Sequence, residues 1–292
     1  MNASDKAEAL IEALAYFQAF RGKTVVVKLG GSAMDDEQAL VKTLQGLLFM
    51  ETAGMKAVVV HGGGKAIDKA MQQSGLVPKK IAGRRVTDDQ TLRIVKDTLI
   101  NDSNASIVAH LRKLGGRAVP MHSGSMHALF GSKLLLPTDA GPVDLGHVGT
   151  VDLVQASLIN DFIEGGVIPV IPSLAVDVDN HDQWLNVNAD TAACSVAVAL
   201  KAEKLVFISD MPGILRDRND PLTLISSLNE AGCKELIASK VIDSGMIPKV
   251  EACLDSLRKG VGKTHMIDGR KNHSLLLEIF TNEGTGTEIT IN

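Results

Sequence analysis

The 292-residue chain is poor in aromatic side chains, which make up 3% of it, so its interior has to be filled by Val, Leu, Ile and Ala. Cysteine is scarce as well: Cys194, Cys233 and Cys253 are widely spaced and odd in number. That excludes a disulfide framework and a paired metal-ligand signature, and it suits a reducing cytoplasm. There is no excess of basic charge, since 30 Lys and Arg stand against 34 Asp and Glu. The chain therefore has no global basic field for holding nucleic acid. No stretch approaches the roughly 18 consecutive apolar residues of a membrane span. The opening from Ala7 to Phe20 is apolar, but Asp5, Glu8 and Glu12 interrupt it, and the basic start of a signal peptide is missing. A soluble protein is expected.

What is present is a series of short, β-branched apolar runs, each ending in glycine or polar residues. Thr24–Lys28 (TVVVK) reads as a buried strand that stops at Leu29, Gly30, Gly31 and Ser32. A second, Ala57–Val60, runs into His61 and Gly62 to Gly64. Between them Leu40, Leu44, Leu47 and Leu48 recur at helical spacing, giving a strand-helix-strand unit with parallel strands and a right-handed crossover. Thr87 and Asp88 read as helix caps before Leu92, Val95 and Leu99. Arg117–Met121 and Val167–Ile171 read as strands, with a helix ending near Gly165. Residues 122–153 read as hairpins lying over the sheet, and 174–178 with 184–187 as a further hairpin. The second half repeats the pattern: helix 190–200, strand 204–208, helix 248–258, strand 264–267.

The expected fold class is α/β, with a mostly parallel central sheet between helical layers and an extra N-terminal helix. The divisions expected are 1–22 for that helix, 23–180 for a substrate lobe and 181–292 for a nucleotide lobe, joined through one continuous sheet.

Two glycine-rich turns then open at the carboxyl edge of a parallel sheet, where α/β proteins bind ligands. Glycines admit close backbone approach, and helix N-termini offer free N–H groups to phosphoryl oxygens. Neither turn is a P-loop: Lys65 is followed by Ala66, and Val59 stands where the first glycine would be. Gly62, Gly64 and Ile67 fail the dinucleotide fingerprint. Taken singly, each turn reads equally well as a tight strand-to-helix connection, Asp190 as a helix N-cap, and Arg85 as a solvated loop cation.

In combination the motifs are specific. Lys28-Leu29-Gly30-Gly31, His61-Gly62-Gly63-Gly64, Arg85-Val86-Thr87-Asp88, Asn186-Val187-Asn188-Ala189-Asp190, Ser209-Asp210-Met211-Pro212-Gly213 and Gly245-Met246-Ile247-Pro248-Lys249-Val250 occur in that order. From about Thr24 to the C-terminus the chain resembles the amino acid kinase family. Within it, the chain is similar to the branch that uses ATP to phosphorylate the γ-carboxylate of N-acetyl-L-glutamate, the second step of arginine biosynthesis.

The resemblance implies that Lys28 and Lys249 contact the phosphoryl group in transfer, and that Asp190 holds both lysines. It implies that Arg85 pairs with the substrate α-carboxylate, that Asn186 and Asn188 bind the acylamino acid, and that Gly63 and Gly64 donate backbone N–H groups. Gly30, Gly31, Ser209, Asp210, Met211 and Met246 would hold ATP, with Mg2+ carried on its phosphates and no protein metal cage. His61 is expected to cap or pack in its turn. Inhibition by arginine through His265, Glu278 and Gly284 is a further implication, as is a homo-oligomer, either a dimer or a hexamer interlaced by the N-terminal helix.

Some positions depart from the family pattern: Lys65 where many relatives have Pro, Arg84 where they have Leu, and the stretches 101–105 and 123–127. These bear on the acceptor rather than on the reaction type. Free aspartate, free glutamate or an aminoadipate derivative remains open as the acceptor, and so does a non-catalytic amino-acid sensor on the same scaffold, although a sensor has no need of three phosphoryl-stabilising charges.

Overall fold

The computed structural model describes residues 2–122, 126–138, 141–243, 245–281 and 284–292. Most of the 123–127 stretch therefore lies outside the described residues. The helices are α1 (Ala3–Phe20), α2 (Gly31–Met34), α3 (Glu37–Thr52), α4 (Gly64–Gln73), α5 (Asp89–Asp97), α6 (Ala105–Lys113), α7 (Ala156–Glu164), α8 (Ala189–Ala199), α9 (Glu230–Ala238), α10 (Ile247–Arg258) and α11 (Ser274–Phe280). The strands are β1 (Thr24–Leu29), β2 (Lys56–His61), β3 (Lys80–Ile81), β4 (Arg84–Arg85), β5 (Ala118–Pro120), β6 (Leu129–Gly131), β7 (Lys133–Leu136), β8 (Val143–Gly149), β9 (Leu153–Val154), β10 (Ile168–Pro172), β11 (Leu174–Asp177), β12 (Trp184–Val187), β13 (Lys204–Ser209), β14 (Ser227–Asn229), β15 (Lys263–Asp268) and β16 (Thr287–Thr290).

Eight strands form one sheet in the order β14-β16-β15-β13-β1-β2-β10-β5. From β15 to β5 all neighbours are parallel, and β16 runs antiparallel to β15. This is why β1, β2, β10 and β13 read as unbroken apolar runs: both faces are covered, so no alternation with polar residues survives. Within each strand successive side chains still divide between the two faces. Val26, Val58, Val60 and Phe207 pack with α8 and α10 on one side. Val25, Val27, Val59 and Val206 pack with α3, α6 and α11 on the other.

α8 lies flat on the sheet because its inward positions are small, namely Ala192, Ala193, Val196 and Ala197. The second face is completed by the scarce aromatics, with Phe280 edge-on to Phe17 and Phe49 and those two tilted against each other, at ring separations of 5.5–5.7 Å. α1 is thus anchored near its C-terminal end, while Leu10, Ile11 and Leu14 stay exposed.

The hairpin region is a six-stranded second sheet, order β7-β8-β12-β11-β6-β9. It contains the expected antiparallel hairpins but also parallel pairs, β8 with β12 and β6 with β11. Two readings of the sequence need correction. Asp88 alone caps α5, through Thr91 N at 2.8 Å, whereas the Thr87 hydroxyl donates to Arg85 O. Leu99, read as following Leu92 and Val95 on one face of the same helix, lies instead in a π-helical segment, Thr98–Asn104.

Candidate active site

β1 ends at Lys28 and Leu29, in register with Val60 and His61 of β2 and with Phe207 and Ile208 of β13. The two glycine turns therefore emerge side by side. Gly30 N donates to Ile208 O, and a Cβ on Gly30 would lie 2.8 Å from that same oxygen, so a larger residue would push the turn off the neighbouring strand. Gly63 is the N-cap of α4 and offers no side-chain oxygen, which leaves the first N–H groups of the helix open.

Three charged side chains meet beside these turns. Lys28 Nζ lies 2.8 Å from Asp190 Oδ1, and Lys249 Nζ lies 3.6 Å from Asp190 Oδ2. Lys249 also lies 5.9 Å from the Phe207 ring centre. Burial works against the charge of Asp190, but Lys28 and Lys249 outweigh it and hold the carboxyl below its ordinary range. Asp190 is not the N-cap of α8; Asn188 is, accepting from Asp190 N and Thr191 N. That cap frees the Asp190 carboxylate for the two lysines.

Adjacent to the triad is a cavity of about 190 Å³ whose lining includes Gly62 to Gly64, Lys80, Arg84, Arg85, Asn186 and Asn188. Arg85 is almost fully buried and pairs with Asp68 at 2.5 Å, while its second terminal nitrogen donates to Gly64 O. Asn186 Nδ2 donates to Thr87 Oγ1 at 3.0 Å. Asp68 and Lys80, which bridge at 2.9 Å, were not singled out from the sequence. The available signal was positional: Asp68 lies one turn beyond Gly64 on α4, and Lys80 pairs across the hairpin with Arg85. Burial opposes ionisation of Asp68, but Lys80 and Arg85 keep its pKa low.

Ser209, Asp210, Met211 and Met246 lie at the carboxyl end of β13 and the start of α10. Met211 and Met246 line a smaller cavity with Gly213, Ile214 and Asp243. Arg270, also missed, forks onto Asp268 and donates to Asp210 O at 2.6 Å. Lys65 pairs with Asp35 at 3.0 Å in an exposed contact between the two glycine loops.

His265, Glu278 and Gly284 come together elsewhere. His265 Nδ1 is 2.7 Å from Glu278 Oε1, and Glu278 Oε2 accepts from Thr285 N and Gly286 N. A Cβ on Gly284 would stand 3.0 Å from Glu278 Oε2. Buried Lys204, 3.4 Å from His265 Nε2, joins this cluster and was not anticipated.

Residues 23–268 match the amino acid kinase family. The chain belongs to that family. It is 43% identical to an acetylglutamate kinase from Acaryochloris marina, over 99% of both chains. It is 44% identical to one from Methanocaldococcus jannaschii, over 98% of this chain and 96% of that one. In fold it is similar to an N-acetylglutamate synthase from Neisseria gonorrhoeae, solved with coenzyme A and N-acetyl-glutamate (TM-score 0.86, 24% identity). It covers 63% of that longer chain, and 98% of this one is aligned. The carbamate kinase of Giardia lamblia bound to AMP-PNP shares the family fold (TM-score 0.64, 16% identity), with 93% of this chain and 99% of that one aligned.

Proposed function

We propose that this chain transfers the γ-phosphoryl group of ATP to the γ-carboxylate of N-acetyl-L-glutamate, giving ADP and N-acetyl-L-glutamyl 5-phosphate for arginine biosynthesis. The observation that carries the reading is Lys28 and Lys249, far apart in sequence, sharing one carboxylate at the edge of a cavity that also contains Arg85 and Asn186. A carboxylate acceptor is ionised at neutral pH, so the reaction needs no general base. An acceptor oxygen bonds to phosphorus as the bond to the ADP oxygen breaks. What the protein has to supply is alignment and positive charge where negative charge migrates.

In this reading Lys28 and Lys249 stabilise the phosphoryl oxygens and Asp190 keeps the two ammonium groups together. Gly63 and Gly64 N–H groups face the acceptor and γ-phosphoryl oxygens. Arg85 takes the α-carboxylate as a planar fork already oriented by Asp68, and Asn186 and Asn188 take the acylamino side. The nucleotide rests along Gly30, Gly31, Ser209, Asp210, Met211 and Met246. The side chains nearest the phosphoryl position are cations, so Mg2+ would be held by phosphate oxygens and water, and would neutralise phosphate charge. The division into a substrate lobe to residue 180 and a nucleotide lobe from 181 follows the same assignment.

Trapping the acyl phosphate as its hydroxamate, with N-acetylglutamate, glutamate and aspartate compared as acceptors, tests the proposal. At least a tenfold preference for the acetylated acceptor is expected. Absence of trapped product, or preference for a free amino acid, overturns it.

The His265–Glu278 cluster supports a second element, inhibition by arginine: Glu278 is a buried anion suited to a guanidinium, and Gly284 approaches it closely. The exposed Leu10, Ile11 and Leu14 of α1 support a homo-oligomer built through that helix. Activity unaffected by millimolar arginine would remove the first, and a monomeric mass in gel filtration would remove the second.

A further inference from the structure

Behind the second glycine turn lies a buried polar pair that the phosphoryl-transfer reading does not use. His61 is fully buried at the end of β2. Its Nδ1 is 3.0 Å from Gly62 O, and its Nε2 is 3.0 Å from Asn104 Nδ2. The same Asn104 nitrogen is 2.9 Å from Val170 O.

These three contacts determine where the imidazole proton sits. Val170 O can only accept, so the Asn104 group turned toward it is the NH2. That NH2 gives its other hydrogen to Nε2, which must therefore carry a lone pair. The proton is left on Nδ1, where it is donated to Gly62 O. Burial lowers the His61 pKa to about 4, the Gly62 contact opposing and His122 adding to the fall, so the ring is neutral at physiological pH.

The consequence runs through one peptide plane. The carbonyl of Gly62 and the N–H of Gly63 belong to the same rigid unit. Three successive glycines leave the flanking torsions nearly free, so something else has to set the direction of that plane. A donor fixed on Gly62 O sets it, and with it the direction of Gly63 N–H. The π-helical segment 98–104 contributes from two sides: it ends at Asn104, and Leu99 and Ser103 abut Gly63 closely enough that a Cβ there would meet them at 2.8 and 3.3 Å.

We infer that His61, locked by Asn104 as the Nδ1–H tautomer, is a positioning residue that aims the Gly63 N–H at the acceptor and phosphoryl oxygens. The inference rests on the reading of the glycine turn given above, and its test separates the two.

An asparagine places its amide nitrogen close to where histidine has Nδ1, whereas a glutamine reaches instead to the Nε2 position. His61→Asn therefore keeps the donor to Gly62 O, and His61→Gln keeps only the partner of Asn104. With the variants assayed beside wild type, His61→Asn is expected to hold the KM for N-acetylglutamate within about threefold. His61→Gln is expected to raise it about tenfold, the effect of one lost hydrogen bond, at unchanged KM for ATP. A packing role predicts the reverse order, because glutamine is closer to histidine in volume, and a partly unfolded variant would lower kcat while leaving both KM values alone.

Long-range 1H–15N spectra of the wild-type chain should show His61 protonated at Nδ1. If His61→Gln does not fold, Asn104→Leu serves in its place, with mixed tautomers and the same rise in KM expected. An Nε2–H tautomer in the wild type, His61→Gln performing as well as His61→Asn, or Asn104→Leu retaining the wild-type KM would each overturn the inference. Loss of kinase activity in the wild type itself would instead overturn the proposed function, and the tautomer would still be read from the spectra.

Discussion

Replacing Asp190 by asparagine keeps the shape of the side chain and removes the charge between Lys28 and Lys249. At the observed separations of 2.8 and 3.6 Å, and an effective dielectric of about 20, the two attractions are about 6 and about 5 kcal/mol. Most of this offsets the cost of taking three charges out of water. Removing one member of such a set costs about 3–5 kcal/mol, because the ammonium groups are left buried and opposed. For a chain of this size that corresponds to a fall in Tm on the order of 10 °C.

In the proposed reaction ATP brings new negative charge to the same two lysines. The thermal stabilisation by saturating ATP should therefore be larger in Asp190→Asn than in the wild type, while kcat falls by about 10²-fold through misplacement of both cations. Differential scanning fluorimetry with and without nucleotide, beside a coupled ADP assay, measures all three quantities. An unchanged Tm with unchanged turnover would refute the claim that Asp190 holds the lysines. A large loss of stability with no extra stabilisation by ATP would refute the claim that the phosphates replace it.

Arg85→Lys retains the charge beside Asp68 but loses the planar fork; the KM for N-acetylglutamate should rise about tenfold or more with little change in the KM for ATP, as steady-state kinetics would show. Gly30→Ala puts a methyl group 2.8 Å from the Ile208 carbonyl, a backbone neighbour that cannot rotate away; turnover should drop about tenfold or more while circular dichroism reports an intact fold. His61 supplies a pH test. Its pKa is lowered from 6.5 to about 4, so the unfolded chain binds a proton that the native chain refuses between those values. The stability linked to His61 is full above pH 6.5, declines by about 3 kcal/mol as pH falls toward 4, and is level below; urea titrations from pH 7 to 4 should show this component in the wild type and lack it in His61→Asn.

How much of this was legible in the sequence depends on where the physical signal resides. The strands at the middle of the sheet announce themselves because double-sided burial concentrates Val and Ile in TVVVKL, KAVVVH and KLVFIS. The edge strand β14 and its neighbour β16, SLN and TEIT, are short and mixed, and nothing distinguishes them from loop until they pair. The π-helical segment is invisible in advance because its residues differ little from those of a helix.

At the site, Lys28, Asp190 and Lys249 could be named because their motifs stand in a recognisable order, and their meeting is the consequence of β1, α8 and α10 sharing one sheet edge. Asp68, Lys80, Lys204 and Asn104 carry no such mark. Each acquires its role from a partner distant in the chain, Arg85 in the case of Asp68 and His265 in the case of Lys204. Single-chain periodicity holds no record of such encounters.

The placement of β1 between β2 and β13 also governs how this molecule can be made. On the ribosome, β1 emerges before β2 and finds it soon afterwards, yet its other flank waits for Lys204–Ser209, Val25 standing opposite Lys204. Throughout that interval a valine-rich edge has open hydrogen-bonding groups on one side, a template for pairing with another nascent chain. Synthesis past residue 209 is therefore the point at which the risk of aggregation should fall, and a chain stopped short of it would be expected to depend on chaperones.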